Sequence, residues 1–323
     1  MAQFIIYKDN DASAPVLNGN TGSLLNVLDK CLVDGYGSKP GAGWSRTLPI
    51  TASYGCFTQP VGSSGLCLFV DDMGSGSASG SEARLTGWSS ITSIEAGIVT
   101  GSNQFPLVTQ QKIASGSVIA RKSTVPTSTN RNWIIMADSH SMYGFVLPGD
   151  TAGVYTSFMF GDFYSIKSGS VDTQRCMIAG RSAPSSSAAT IDKLDILSSS
   201  LNTPLPGNFI AGPFGGGTSI SCSKHGDAVK GTATQLRGNV PYFNSVDNGL
   251  YISPVWVVET ATSLIRGRMR GFYQFCHVGS NVVDGQTFNS SSSDFPGKTF
   301  MVISGSGNTG VYFMETSNTL ETN

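Results

Sequence analysis

A single segment near the N-terminus has the periodicity of an α-helix, whereas the rest of the 323-residue chain consists of short apolar runs between Gly-, Ser- and Asn-rich turns. Apolar side chains recur in this segment at Leu24, Leu25, Val27, Leu28, Cys31 and Leu32. At 100° per residue they share one face, which predicts a short α-helix near 23–34. Thr21 or Ser23 is expected to cap its start, and Gly35 to end it. One short helix cannot form a core alone, so it must pack on a sheet.

The remaining apolar runs predict an all-β protein, mainly an antiparallel sandwich or barrel. They are short, lie roughly 8–15 residues apart and are separated by turn-forming residues. Pro254 interrupts one run, which indicates an edge strand or a bulge there. The predicted strands are 3–7, 54–58, 66–70, 84–91, 97–100, 116–120, 132–137, 143–147, 156–163, 176–180, 208–212, 218–223, 249–258, 265–277, 299–304 and 310–315.

The chain is expected to consist of an N-terminal arm (1–20) and a β-rich body (21–323). The polar segment 121–131, which contains Pro126, is the best candidate for a division within the body. The arm carries one strand on a polar tether, and such a strand can pair with its own sheet or with that of a neighbour. Three apolar residues of this strand are therefore predicted subunit contacts: Phe4, Ile5 and Ile6.

Charged residues make up only 13% of the chain, and the formal net charge is −1. This is about half of the usual quarter. A surface with few charges is readily covered by neighbouring subunits, and the same composition suits a sugar-binding module. The near-neutral balance argues against direct contact with nucleic acid. The sequence contains no run of 18 apolar residues, which a membrane-spanning helix would need. Its N-terminus lacks the pattern of a secretory signal.

The sequence offers no recognised catalytic or cofactor-binding motif. A G-x-S-x-G elbow, a P-loop and a dinucleotide-binding glycine pattern are all missing from it. Asp138-Ser-His140 brings an acid and an imidazole close together, and we interpret it as a hairpin loop bonded to its own backbone. No catalytic residue, metal ligand or cofactor is therefore assigned, and the protein is not expected to be an enzyme.

The six cysteines include no C-x-x-C pair, and most are interpreted as buried small hydrophobes of a protein made in a reducing cytoplasm. Disulfides become permissible if the protein is later exposed to an oxidising extracellular environment. Cys56 and Cys67, which flank the turn at 62–65, are the best-placed pair for one.

An arginine pattern over 265–272 (IRGRMRGF) is the most distinctive arrangement of charge. In a strand, Arg266, Arg268 and Arg270 project from one face about 7 Å apart, and like charges in a row repel unless acids answer them. They are therefore predicted either to contact acids of the same chain or of another subunit, or to form a solvated face. Asp71, Asp72 and Glu259 are the acids considered as partners.

Several short motifs resemble those of a family of virion structural proteins of tailed bacteriophages. They are 28–37 (LDKCLVDGYG) with Gly43-Trp44, 68–72 (LFVDD), 83–87 (ARLTG), 105–106 (FP), 132–138 (NWIIMAD), 160–163 (FGDF) and 265–267 (IRG). The resemblance implies a particle component of the capsid, the neck or collar, or the tail. It carries over no catalytic residue.

Composition and resemblance together predict a non-enzymatic virion protein, assembled in the host cytoplasm, that binds copies of itself in a symmetric homo-oligomer and other virion proteins. Two alternatives share the composition: a host-glycan-binding fibre or spike module, and a polysaccharide-degrading tail enzyme. The first predicts a cleft with aromatics and amides or acids. The second also predicts two facing carboxylates in that cleft.

Overall fold

Twenty β-strands and one α-helix form the regular structure of the residues that this computed structural model describes. Those residues are 4–73, 81–107, 116–147, 149, 155–167, 172–181, 208–212, 220–226, 252–259, 264–275, 283–291, 295–304 and 311–316. Their strands pair antiparallel, and the described sheets do not close into a barrel. The predicted all-β class with one short N-terminal helix is confirmed.

Most strands overlap the predicted apolar runs. In chain order the strands are β1 (Ile5–Lys8), β2 (Ser45–Arg46), β3 (Tyr54–Thr58), β4 (Cys67–Asp71), β5 (Glu82–Trp88), β6 (Ser90–Glu95), β7 (Ile98–Ser102), β8 (Val118–Arg121), β9 (Asn132–Ala137), β10 (Ser141–Leu147), β11 (Thr156–Asp162), β12 (Tyr164–Ser165), β13 (Cys176–Ala179), β14 (Asn208–Ile210), β15 (Ile220–Gly226), β16 (Ile252–Glu259), β17 (Ile265–Phe275), β18 (Thr287–Asn289), β19 (Thr299–Ser304) and β20 (Val311–Glu315). However, β2, β12 and β18 lie outside all of the predicted runs, and the predicted run 84–91 is divided between β5 and β6.

The strands form one large sheet and two small ones. The large sheet has the order β1-β9-β10-β11-β13-β14-β15-β16-β17-β20-β19-β18, and β12 pairs with β17. A five-stranded sheet has the order β2-β3-β4-β5-β8, and β6 and β7 form a separate hairpin. Pro254 lies beside a register shift in the pairing of β16 with β17, so the predicted bulge is confirmed in a strand that has neighbours on both sides.

Side chains that alternate along the central strands bury both faces of the large sheet. In β9, Trp133, Ile135 and Ala137 face a core that also contains the five-stranded sheet and the helix. Ile134 and Met136 face a second core, shared with residues of β16, β17, β19 and β20. The protein therefore has three layers: a front layer (the five-stranded sheet and the helix), a central layer (β1, β9–β11, β13 and β14) and a back layer (β16, β17, β19 and β20).

The α-helix, α1, runs from Ser23 to Asp29 and continues as a π-helical turn, Lys30–Asp34. The six apolar positions from which it was predicted are all buried in the front core. Gly35 follows the last turn with φ +77° and ψ 174°, so it ends the helix with a positive φ but not in the left-handed helical conformation that was predicted. The backbone N–H groups of Ala42 and Trp44 donate to carbonyls of the last turn at 3.0 Å, which satisfies acceptors that a helix end leaves open.

The predicted side-chain cap from Thr21 or Ser23 is wrong, because Gly22 occupies the cap position. Both hydroxyls donate instead to backbone carbonyls outside the helix. The cap comes from a distant acid: Asp72 Oδ2 accepts the N–H groups of Leu24 and Leu25 at 2.9 and 3.1 Å. A carboxylate at this position also interacts favourably with the positive end of the helix dipole.

Asp72 is fully buried and forms an ion pair with the equally buried Lys122, whose ammonium also donates to the carbonyl of Asn20. Lys122 lies in the predicted boundary segment 121–131, which connects β8 of the front layer to β9 of the central layer. Residues on both sides of this segment share the front core.

We expect Asp72→Asn to lower the free energy of unfolding by about 3–5 kcal/mol, because it leaves the buried Lys122 ammonium without its counter-charge. Urea denaturation followed by tryptophan fluorescence measures the effect. The control is Asp71→Asn, the same change at the neighbouring, half-buried carboxylate, for which we expect less than about 1 kcal/mol. Equal losses in the two variants would show that the buried pair does not stabilise the fold in this way.

Candidate functional site

The outer face of the five-stranded sheet presents side chains in three cross-strand rows. Strands β3, β4 and β5 send alternate residues into the front core and away from it. The outward rows, read across the three strands, are Tyr54–Asp71–Arg84, Cys56–Phe69–Thr86 and Thr58–Cys67–Trp88. The two charged residues thus lie in the row at one end of this face, and the two thiols lie in the other two rows.

The β6–β7 hairpin folds over this outer face. Ile91, Ile94 and Val99 pack in a small apolar cluster with Phe69, Trp88 and the two thiols of the outer face. The hairpin turn has positive φ at both Ala96 (+49°) and Gly97 (+81°), the conformation that suits a two-residue turn between twisted strands. A Cβ at Gly97 would lie 2.6 Å from the ring of Tyr54, so glycine also permits this close approach.

A cleft of about 270 Å³ lies between the outer face and the hairpin. We call it the outer-face cleft. Its lining combines aromatic, charged and neutral polar side chains from β4, β5, the hairpin and the residues that precede β8 and follow β7. The residues are Phe69, Asp71, Arg84, Thr86, Trp88, Gly97, Ile98, Val99, Gln104 and Ser117.

The two charged residues of the outer-face cleft, Asp71 and Arg84, are direct cross-strand partners and both are half-buried. Asp71 Oδ1 accepts the N–H of Met73 at 3.0 Å. Within the described part of the chain, the guanidinium of Arg84 makes no hydrogen bond or ion pair. The guanidinium of Arg84 can therefore donate hydrogen bonds to a polar ligand, beside the Asp71 carboxylate as an acceptor and the aromatic wall of the cleft.

The indole N–H of Trp88 donates to Thr86 Oγ1 at 2.8 Å, and Trp88 is only 9% exposed. Tyr54 and Phe69 stack with ring centroids 6.2 Å apart. The aromatic wall of the cleft is therefore fixed by its own contacts. Among the described residues, no group of three or more His, Cys, Asp and Glu side chains is placed to hold a metal ion.

Cys56 and Cys67 lie on neighbouring strands, one row apart, and both are buried free thiols. A hydrogen bond from the Cys56 thiol lowers the pKa of Cys67, and the hydroxyls of Thr58 and Thr47 act in the same direction. Thr58 Oγ1 lies 3.2 Å from Cys67 Sγ. The two thiols are therefore neighbours in the structure, and formation of a disulfide between them under oxidising conditions stays a prediction.

Acidic residues of the same chain form ion pairs with two arginines of the 265–272 pattern. Arg266 is fully buried and pairs with Glu259, one of the considered acids, at 2.8 Å and with Asp172 at 2.7 Å. Asp72 pairs with Lys122 instead, and the carboxylate of Asp71 lies in the outer-face cleft. Sequence reasoning missed Asp172, which lies 94 residues from its partner and carries no local signal of the contact.

Arg270 is also buried and pairs with Asp138 at 2.7 Å, a second acid that sequence reasoning missed. Its guanidinium lies 4.7 Å from the ring centroid of Tyr164, and that of the half-buried Arg268 lies 5.1 Å from the same centroid. The three arginines therefore do not form a uniformly solvated face, because Arg266 and Arg270 are buried in ion pairs. Contact with another subunit through these arginines stays a prediction.

The predicted N-terminal strand is present as β1, and it pairs with β9 of its own sheet. Phe4 is buried against Tyr143, and Ile5 and Ile6 are half-buried. A contact of these three residues with a neighbouring subunit stays a prediction.

Side chains of the same molecule cover part of the outer edge of β1. Lys39 Nζ donates to the carbonyl of Ile6 at 2.6 Å, and the N–H of Lys8 donates to Asp11 Oδ2 at 2.7 Å. Lys39 and Asp11 also form an ion pair. A neighbouring strand would have to displace this pair in order to add to the edge.

The Asp138-Ser-His140 loop joins β9 and β10, and Asp138 Oδ1 accepts the N–H groups of His140 and Ser141 at 2.7 Å each. The interpretation of a loop bonded to its own backbone is confirmed. The imidazole of His140 points to another acid: its Nδ1 lies 3.4 Å from Asp162 Oδ2.

Asp162 is the centre of a polar network at one end of the central layer. Ser64 Oγ donates to it at 2.6 Å, and Arg175 Nε lies 3.1 Å away. Burial alone would raise the pKa of Asp162, but hydrogen bonds from His140, Ser64 and Gln59 and the charge of Arg175 hold it below its usual range. Both Ser64 and His140 bond to the carboxylate, so the three residues do not form a nucleophile–base relay.

No protein-family model and no curated protein matches this chain. The likeness to phage virion proteins therefore depends on the short motifs themselves. Within the described residues, no helix has both the length and the apolar character that crossing a bilayer requires.

The lowered pKa of Asp162 predicts acid sensitivity. The unfolded carboxyl group takes up a proton near its ordinary pKa of about 3.9, whereas the folded group resists protonation, so its stabilising effect is present above about pH 4 and is lost as the pH falls through the folded value. We expect Asp162→Asn to cost about 1–3 kcal/mol at pH 6 and to lose less further stability than the wild type between about pH 5 and pH 3.

Urea denaturation at a series of pH values measures this difference. Asp9→Asn, at an exposed loop position, is the control for removal of a carboxylate and should change the stability at pH 6 by less than about 0.5 kcal/mol. An Asp162→Asn protein whose stability falls with pH as steeply as that of the wild type would contradict the prediction.

Proposed function

We propose that this protein is a non-enzymatic structural component of a tailed-phage virion, located in the collar or neck, in the tail or on the capsid surface. It self-associates as a symmetric homo-oligomer and binds other proteins of the particle. The motif resemblance supports the phage context. The burial of several of the few charged residues in internal ion pairs supports a role in assembly.

The observation that carries the proposal is that the buried carboxylates are neutralised inside the chain. Seven buried acids are described, and each forms an ion pair with a lysine or arginine. The pairs are Asp72–Lys122, Glu82–Arg181, Asp138–Arg270, Asp162–Arg175, Asp172–Arg266, Glu259–Arg266 and Glu315–Lys298. A chain already poor in charge thus keeps part of that charge in its interior.

This arrangement favours burial of the surface in subunit contacts. Removing an ion from water costs several kcal/mol unless a partner compensates it, so a surface with few ions is covered at low cost. Interface cores are depleted of charged residues for this reason. Exposed apolar side chains are also described on the surface, among them Val61, Met73, Ile98 and Val283.

Two of these pairs, those of Asp172 and Asp162, support a non-enzymatic role, whereas burial raises the pKa of Asp72. A carboxylate that acts as a general acid needs a raised pKa, usually from an apolar environment. Burial acts in that direction on Asp172, but hydrogen bonds from Ser165 and the charge and hydrogen bond of Arg266 hold its pKa below the usual range. Asp162 is held low in the same manner. These acids are engaged in holding the structure together.

We expect mass photometry and light scattering of the purified protein to give a mass that is a small-integer multiple of 33.9 kDa. Because the contacts would be largely uncharged, the oligomer should persist between about 0.05 and 1 M NaCl, whereas an assembly held by surface ion pairs would dissociate as salt screens them.

A particle of 33.9 kDa at all accessible concentrations would contradict self-association. The second measurement is mass spectrometry of density-purified phage particles. Peptides of this chain should co-purify with the particles at a fixed ratio to the major capsid protein, and their loss during purification would contradict a virion location.

A further inference from the structure

The outer-face cleft contains chemistry that the assembly role does not use. It combines one arginine, one carboxylate, neutral polar groups and an aromatic wall in a cavity of about 270 Å³. We propose that this cleft binds a saccharide that carries a carboxylate, such as a uronic acid, with the carboxylate on Arg84 and ring hydroxyls on Asp71. The proposal is independent of the virion location.

Arg84 supplies the anion-binding group. Its position on β5 opposite Asp71 fixes its backbone in the middle of a sheet, and neither a hydrogen bond nor an ion pair engages its guanidinium among the described residues. A guanidinium presents parallel N–H donors that match the two oxygens of a carboxylate. Its half-buried position beside an aromatic wall strengthens such a contact relative to one in open water.

Asp71 determines which anions fit. Its Oδ1 accepts one backbone N–H, and the carboxylate retains further acceptor capacity for the hydroxyl donors of a sugar ring. The same negative charge, across the strand pair from Arg84, opposes the extra attraction that Arg84 would exert on a second negative charge of the ligand, so a second charge adds little affinity. The cleft is therefore suited to a singly charged carboxylate with neighbouring hydroxyls rather than to a phosphate ester.

The wall of the cleft suits a sugar ring. Phe69, Trp88 and Val99 contribute carbon atoms to the lining, and a pyranose would contact the small part of the two nearly buried rings that the hairpin leaves uncovered. The Trp88 N–H already donates to Thr86. The volume of about 270 Å³ is slightly below the range of about 300–1,000 Å³ that holds drug-sized ligands, so one sugar residue is the expected occupant.

Ligand-observed saturation-transfer NMR tests the proposal on the full chain, with methyl β-glucuronide, methyl β-galacturonide and the α-methyl glycoside of N-acetylneuraminic acid as acidic probes. Methyl β-glucoside and glucose 6-phosphate are the neutral and doubly charged comparisons. We expect at least one acidic probe to bind about tenfold more tightly than both comparisons, the factor that one charge-assisted contact supplies.

Arg84→Gln should reduce the affinity for that acidic probe about tenfold, to the level of the neutral sugar, because the glutamine retains a polar side chain without the charge. Arg46→Gln, at an exposed arginine of β2 outside the cleft, should leave binding unchanged. Both variants should have the far-UV circular dichroism of the wild type, which separates loss of the contact from loss of the fold.

Any of four results would overturn the proposal. They are saturation transfer to none of the acidic probes, equal binding of acidic and neutral sugars by the wild type, equal loss in Arg84→Gln and Arg46→Gln, and tighter binding of glucose 6-phosphate than of every carboxylate. Mass photometry of the same samples reports the oligomeric state separately, so failure of the ligand proposal is distinct from failure of the assembly proposal.

Discussion

The central layer is apolar on both faces, and the rest of the architecture follows from the need to cover it. In β9, Trp133 and Ile135 face forward while Ile134 and Met136 face backward. Leaving either set exposed would forfeit the main favourable contribution to folding. The front layer covers one face with the five-stranded sheet and the helix. The large sheet turns through β15 so that its own C-terminal strands cover the other.

The ionic interactions depend on this layering. Charged side chains enclosed between layers have to find counter-charges there, and they do so across long separations in sequence. Arg270 of β17, in the back layer, pairs with Asp138 at the end of β9, 132 residues away. Asp72 joins the end of β4, the start of the helix and Lys122. We interpret these pairs as determinants of how the layers align, since a misaligned layer would leave a charge buried without its partner.

Much of the secondary structure was predictable because it is encoded locally. The helix and the hairpin of β9 and β10 appear in the periodicity of a few neighbouring residues and in their turns. The apolar run predicts one strand over 84–91, but the chain turns after Trp88 and starts the β6–β7 hairpin. The residues on both sides of this turn have the periodicity of a strand, so periodicity alone does not reveal the turn.

The candidate site was not predictable, because it depends on which strands are neighbours. Residues 67–71 (CLFVD) are almost continuously apolar, so the alternation that sends Phe69 and Asp71 outward is hidden. The contact of Asp72 with the helix start was missed for the same reason: the two lie 48 residues apart. Pairing of Asp71 with Arg84 follows only once the register of β4 and β5 is known.

The β6–β7 hairpin rests on a small apolar cluster that is separate from the two cores between the layers. Residues at its tip, such as Ile98, are exposed and contribute nothing to those cores. Insertions, deletions and substitutions in the β6–β7 hairpin can therefore be tolerated while the two cores between the layers stay intact. Because the hairpin and the cores are separate, evolution can change the binding properties of the outer-face cleft without changing how the protein folds.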